Sequence, residues 1–479
     1  MIEINIHVTF KSTICTNWRN EMKIVIAGGG DVGVKIAEKL IYENHDVTIL
    51  EKDPQLIRTL QSKLDAMIIL GDATNINTLI EANILNADSF IAVTNNDSEN
   101  LLACNIVKKC CKNNISITCK IDSYYQYFNE EYISPKDFGI ETIIKPLEIT
   151  VTKIMELMNN PNVFEIMNYA DNMAQLVGVK VKRNFKLKGI PISEISLKDN
   201  IFSKVRLVAI QREGKLIVPK GQDVIYPKDK LYLVGKTDIV KNIVEKHFSS
   251  PMNLKNIIIV GGTKHAIELS KALNKSKKNI TIIEEDKFRC KKLSFLLDNV
   301  LIMNGSATDS HLMDEVSIED SCVISMSNND EYNILSAFTA KKYGASKTMC
   351  MVKNSSIVNL INNLDPIDTV FSPHALTIGE ILKHTRKTDL FSVSPFTEID
   401  AETIGINVTQ NSPILNIPIK DITFPKKSII GVIIRESNVI IPTGDDIIKL
   451  GDKVIVFLLP ESIYEVEKMF STKKFGGRR

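Results

Sequence analysis

The chain has 479 residues, with 59 Lys and Arg against 57 Asp and Glu, 44% hydrophobic residues and 24% charged ones. That balance is globular, excludes a disordered or fibrous chain, and at roughly 150 residues per domain allows about three to four compact units. A net charge of +2 provides no basic field for nucleic acid, and uncharged apolar runs such as Val454 to Pro460 fall short of the roughly 20 residues of a bilayer span.

Residues 1–21 lack the apolar core of a secretory signal and are read as an N-terminal extension, with Met22 a candidate initiator. From there, β-branched runs alternate with helical stretches. Strands are expected at Lys23 to Ala27, Asp46 to Leu50, Met67 to Leu70, Ser89 to Thr94 and Ser116 to Ile121. Helices are expected at Val32 to Glu43, Asp53 to Lys63, Asn77 to Ala82 and Ser98 to Lys109. Buried strands joined by helical crossovers predict a parallel, doubly wound, Rossmann-like sheet. A different pattern follows. Runs at Ala174 to Val181, Val205 to Gln211, Lys215 to Val218 and Lys230 to Val234, broken by Gly189, Gly214 and Gly221 and closed by a helix near Thr237 to Lys246, predict a small α+β unit.

The whole arrangement then repeats. Lys23 to Gly30 matches Asn256 to Thr263, Val47 to Glu51 matches Ile280 to Glu284, and Thr94 to Asp97 matches Ser327 to Asp330, all 233 positions apart. Gly71-Asp72-Ala73-Thr74 matches Gly305-Ser306-Ala307-Thr308 with a slip of one, and Arg212, Pro219, Gly221 and Asp229 match Arg435, Pro442, Gly444 and Asp452 at 223. The expected domains are Rossmann-like units at 22–145 and 254–373, each followed by an α+β unit at 160–248 and 390–472. Linkers are expected around Asn159-Asn160-Pro161, Ser249-Ser250-Pro251 and Ser394-Pro395.

Gly28-Gly29-Gly30-Asp31-Val32-Gly33 is a GxGxxG loop between a strand and a helix, with Glu51 ending the next strand 18 residues after Gly33. Gly28 suits the tight turn, Gly30 the approach of backbone N–H groups to a pyrophosphate, and Gly33 close packing of helix on strand. Glu51 can accept from ribose hydroxyls and repel a 2′-phosphate, favouring NAD(H) or an adenine nucleotide over NADP(H). Asp72, Ala73, Thr94 and Asn95 end neighbouring strands at the same crevice, although solvent exposure alone also explains polar strand ends. In the second copy Gly261, Gly262 and Glu284 persist, but Thr263 and Ala266 replace Gly30 and Gly33, so that site is expected to be weakened, lost or retuned; His265 is read as a solvated loop residue.

Eight cysteines at 15, 104, 110, 111, 119, 290, 322 and 350 form no CxxC pair, so thiols rather than zinc ligands or disulfides are expected. The Tyr-xxx-Lys spacings, including Tyr464/Lys468, read as chance, and HExxH, GxSxG and GxxxxGK[ST] do not occur. The basic tail Lys473 to Arg479 is read as a solvated end.

In this order, Ala27 to Gly33, Gly71 to Thr74, Ala92 to Asp97, Ser372-Pro373, Arg386 to Asp389 and the Gly221 and Gly444-Asp445 signatures closely resemble the TrkA family, the tandem RCK (KTN) subunits of bacterial Trk potassium uptake. The resemblance covers Met22 to Phe470. It implies a non-catalytic regulatory subunit that binds NAD(H), or alternatively ATP or ADP, forms a homo-oligomeric ring expected as a tetramer, and docks from the cytoplasm on a membrane-embedded TrkH-type potassium transporter. It implies a first site of Gly28 to Val32, Glu51, Thr94, Asn95 and Lys120, where Lys120 replaces a common arginine. It implies a second site of Gly261, Gly262, Thr263, Lys264, His265, Glu284 and Ser327. The competing expectation is an NAD-dependent oxidoreductase, which requires a substrate domain bearing an acid or base.

Overall fold

The computed structural model describes residues 22–111, 115–129, 131–249, 252, 254–276, 278–316, 318–354, 357–358, 361, 367–385, 390–396 and 398–470. The first unit comprises β1 (Lys23–Ala27), α1 (Asp31–Tyr42), β2 (Asp46–Glu51), α2 (Pro54–Lys63), β3 (Met67–Leu70), α3 (Ile76–Glu81), β4 (Ser89–Ala92), α4 (Asp97–Cys110), β5 (Ser116–Lys120), α5 (Tyr124–Tyr127) and β6 (Thr142–Ile144). Its six strands run in the order β3-β2-β1-β4-β5-β6, all parallel. The order reverses between β1 and β4, which opens a crevice beyond their carboxyl ends. Ile24, Val25, Ile26 and Ala27 are all buried, as expected for a central strand covered on both faces.

Helix α6 (Pro146–Asn159) leads to β7 (Glu165–Tyr169), β8 (Ala174–Lys180), α7 (Ile192–Lys198), β9 (Val205–Arg212), β10 (Lys215–Ile217), β11 (Lys230–Lys236) and α8 (Thr237–Ile243). These strands form an antiparallel sheet ordered β10-β9-β11-β8-β7. The second half repeats the first with β12 (Asn256–Val260), α9 (Lys264–Leu273), β13 (Asn279–Glu284), α10 (Lys287–Leu296), β14 (Val300–Asn304), α11 (Ser310–Glu315), β15 (Ser321–Ser325), α12 (Asp330–Lys342), β16 (Lys347–Met351), β17 (Thr369–Phe371) and α13 (Pro373–Thr385). It ends in β18 (Leu390–Pro395), β19 (Glu402–Asn407), β20 (Ser428–Arg435), β21 (Asn438–Ile440), β22 (Lys453–Leu458) and α14 (Ile463–Phe470). Its sheets are ordered β14-β13-β12-β15-β16-β17 and β18-β19-β22-β20-β21. The architecture is two Rossmann-like units, each followed by an antiparallel α+β unit.

The cores cross between the halves. One continuous apolar cluster joins Ile154, Leu157 and Met158 of α6, the first antiparallel unit and the second parallel unit through Ile257, Ile259 and Leu269. The other joins Ile24, Ile26 and Leu40 of the first parallel unit, Ile378, Ile381 and Leu382 of α13 and the second antiparallel unit. Polar contacts follow the same exchange. Lys39 of α1 pairs with Glu402 of β19. Lys347 of β16 donates to the carbonyls of Leu157, Pro161 and Val163 at 3.0, 3.2 and 3.1 Å, capping the end of α6. The antiparallel units also pack on each other through Tyr232, Val234, Phe396, Val432 and Phe457.

Two expectations are corrected. Ser394 and Pro395 end the paired strand β18 and are not a linker, because their backbone is held by Thr403 and Glu402. The helix from Thr237 stops as α-helix at Ile243 and continues as a π-turn over Val244–Phe248. The elements β6, α6, β7 and α7 were not anticipated. Cys15, Ser250-Pro251, Arg386 to Asp389 and the basic tail lie outside the described residues. Among the described residues, seven cysteines carry free thiols and no helix is long and apolar enough to cross a membrane.

Candidate functional site

The first glycine loop is built by close backbone packing. Gly28 has φ +111°, a region open chiefly to glycine, and a Cβ there would lie 3.0 Å from the Thr94 nitrogen. A Cβ on Gly33 would lie only 1.9 Å from the Gly28 carbonyl oxygen, so α1 enters directly against the loop. Gly30 faces open space and gives α1 no side-chain cap, leaving first-turn amides available to an anion.

Glu51 is buried and holds the loop in place. Its Oε2 accepts from the Gly29 N–H at 2.7 Å and its Oε1 from the Asp53 N–H at 2.8 Å. The carboxylate therefore anchors the loop to the end of β2, and each oxygen keeps a further lone pair for a hydroxyl donor. Glu284 repeats this with Gly262 at 2.7 Å and Asp286 at 2.9 Å.

Around the crevice, Thr94 lies two residues beyond the end of β4 and Lys120 is the buried last residue of β5, while Asn95 is exposed. Asp72 accepts from the Thr74 backbone and hydroxyl at 2.8 and 2.7 Å; those bonds lower its pKa and close the turn after β3, beside Ala73. Asp31 projects from the first turn of α1 beside the half-buried Val32.

Sequence reasoning missed the residue that joins these strand ends. Fully buried Asn100 accepts at Oδ1 from the Thr94 N–H at 3.0 Å and hydroxyl at 2.7 Å, and donates to the carbonyls of Thr94 and Lys120 at 3.2 and 3.0 Å. Asn333 binds the Ser327 N–H at 2.7 Å and the Ser327 and Met351 carbonyls at 3.1 and 3.0 Å. Asp97 likewise holds the Asp122 and Ser123 amides, as Asp330 holds those of Lys353 and Asn354. The signal was available: the repeat continues from Asn96-Asp97 and Asn329-Asp330 to an asparagine three residues on.

The second loop differs physically. Thr263 has an ordinary extended backbone, and its buried hydroxyl donates to the Met326 carbonyl at 3.0 Å while accepting from the Ala266 N–H at 3.4 Å. It occupies an amide that Gly30 leaves uncapped. Ala266 is fully buried at the position of Gly33, so this loop holds a Cβ where the first leaves no room for one.

The two crevices meet. Lys264, at the start of α9, reaches Ser123 Oγ of the first unit at 3.5 Å, and His374, at the start of α13, lies 4.0 Å from Asp31. His265 is half-buried; desolvation pushes its pKa down to about 4, with Asp122 opposing and Lys353, His374 and Lys264 adding to the fall. His374 is also lowered by burial, despite Asp31.

Two domain models match this chain in tandem: the TrkA-N domain over residues 24–146 and 257–373, and the TrkA-C domain over 176–246 and 404–471. The chain belongs to the TrkA family. The Trk system potassium uptake protein TrkA of Vibrio alginolyticus is 30% identical over 467 residues, covering 95% of this chain and 100% of that protein. The protein of the same name from Haemophilus influenzae is 30% identical over 460 residues, again 95% of this chain and all of that one. The GsuK channel bound to NAD has the same fold, with a TM-score of 0.57 and 16% identity over 97% of this chain and 81% of that chain. The duplicated parallel and antiparallel units of this TrkA-family chain are thus the tandem RCK arrangement.

Proposed function

We propose that this chain is the regulatory, non-catalytic subunit of a Trk-type potassium uptake system. It binds NAD(H) or an adenine nucleotide and gates a membrane-embedded TrkH-type transporter from the cytoplasmic face. The proposed units are 22–145, 160–248, 254–373 and 390–472, assembled with other copies into a tetrameric ring. The first site comprises Gly28 to Gly33, Glu51, Asp72, Ala73, Thr94, Asn95 and Lys120; the second comprises Gly261 to His265, Glu284 and Ser327. A bound nucleotide supplies charge and shape here, and the protein's part is to hold its pyrophosphate on the first turn of α1 and its ribose on Glu51.

The observation carrying this reading is that each candidate site borders the other parallel unit, through Lys264 with Ser123 and Asp31 with His374. A ligand in either crevice then touches a boundary between two rigid bodies, and differential affinity for two arrangements of that boundary provides regulation. A coupling of about 1–3 kcal/mol, roughly 5- to 150-fold in affinity, suffices. The names and fold of the relatives support the same reading.

Potassium flux in vesicles holding a Trk transporter and the full chain tests it. Nucleotide should change flux, and Gly30→Val should remove the response. Flux insensitive to NAD(H), ATP and ADP would remove the gating role, while steady hydride transfer to a carbonyl substrate would favour an oxidoreductase.

A further inference from the structure

Helix α10 presents a face that the fold does not require. Phe288 and Phe295 are 84% and 90% exposed, and they stand at i and i+7 with exposed Lys291 and Lys292 between them at i+3 and i+4. Those four positions share one side of a helix, while Leu293 on the opposite side is buried in the core. The helix also carries Lys287 and Arg289 and has no acidic residue; Arg289 lies 3.8 Å from Glu284. The equivalent helix in the first half, α2, has Gln55, Arg58, Thr59 and Ser62 at the same four positions. Two copies of one fold therefore place the same buried leucine, Leu60 or Leu293, beneath opposite kinds of surface.

We propose that the exposed face of α10 docks on an anionic lipid surface. The charge is complementary, since Lys287, Lys291 and Lys292 face solvent at one end of the second parallel unit. The shape also favours lipid. A stable protein interface buries about 800 Å² per partner around a packed centre, whereas this is a single convex helix bearing two separate rings. A headgroup layer yields around isolated aromatic rings while its phosphates meet the lysines between them, and each cation near such a surface strengthens binding about fivefold. The proposal deepens the peripheral-membrane part of the functional reading by naming a contact independent of the transporter.

Co-sedimentation of the full chain with protein-free vesicles tests it. Vesicles of phosphatidylcholine with one quarter phosphatidylglycerol should bind the chain, pure phosphatidylcholine should bind it at least tenfold more weakly, and 0.5 M salt should reverse the binding. The double variant Phe288→Ser, Phe295→Ser and the double variant Lys291→Gln, Lys292→Gln should each lose at least tenfold in partitioning while keeping wild-type melting and nucleotide affinity. Equal partitioning by wild type and both variants, or binding only when a Trk transporter is in the vesicle, would overturn the lipid contact. The second result would assign the face to a protein partner and leave transporter regulation standing.

Discussion

Gly33 leaves no space for a methyl group, because its Cβ would overlap the Gly28 carbonyl of the loop proposed to hold the nucleotide. Gly33→Ala should therefore cost about 1–3 kcal/mol of stability and weaken nucleotide binding. Ala266→Gly, in the second loop, where a Cβ is already accommodated, should cost only about 1 kcal/mol. Urea denaturation and calorimetry on the full chain compare them, and equal losses would contradict the structural difference between the loops. His265 supplies a second residue-scale test. Its folded pKa, about 4, lies below the ordinary histidine value, so the unfolded state binds more protons between roughly pH 6.5 and 4. Its contribution to stability is present above that window and falls as pH drops through it, by on the order of 2 kcal/mol after allowance for partial exposure. His265→Asn should flatten this part of the denaturation profile; an unchanged slope would show that other groups, such as His374, dominate.

The strands and helices of the first parallel unit were legible because its apolar runs are short, buried and punctuated by caps such as Asn96, whose side chain accepts from the Ser98 and Glu99 amides. The glycine loop and Glu51 were legible for the same reason: their spacing is local. Helix α6 was not. Val151, Ile154, Met155 and Met158 form an i, i+3, i+4, i+7 stripe, but the helices it packs on, α9 and α13, lie more than 100 residues further along the chain. The role of Asn100 was hidden because its partners, Thr94 and Lys120, are joined only once the sheet forms. Lys347 was hidden likewise, and it gives an element-scale prediction. Burial lowers its pKa to about 8 from 10.5, so the unfolded state binds more protons between those values and stability should rise as pH increases from about 8 to 10.5, by on the order of 3 kcal/mol. Lys347→Met leaves three carbonyls at the end of α6 without their donor, yet removes a buried charge. The stability of wild type relative to this variant should therefore improve across that pH range in chemical denaturation, and a constant difference would mean that Lys347 keeps its ordinary pKa in the folded chain.

At the scale of the whole molecule, the repeat conceals which unit completes which core. Both halves carry the same pattern, so the sequence is equally consistent with two self-contained halves and with exchanged ones. The structure is exchanged: α6 lies with α9, α13 lies with α1, and each antiparallel unit shares its apolar cluster with the parallel unit of the other half. After a cut between residues 250 and 254, each fragment alone would expose the core-facing surface of its crossover helix to water. At about 25 cal/mol per Å² of apolar surface, that exposure favours association over an isolated half. Fragments 22–250 and 254–479 should therefore combine when co-expressed into a one-to-one complex with nucleotide affinity close to that of the intact chain. Either fragment alone should form a homodimer, with a second copy taking the place of the missing half, or should aggregate. Light scattering coupled to size exclusion distinguishes these states. Two stable monomers, each cooperative in denaturation and indifferent to the other, would refute the exchanged cores.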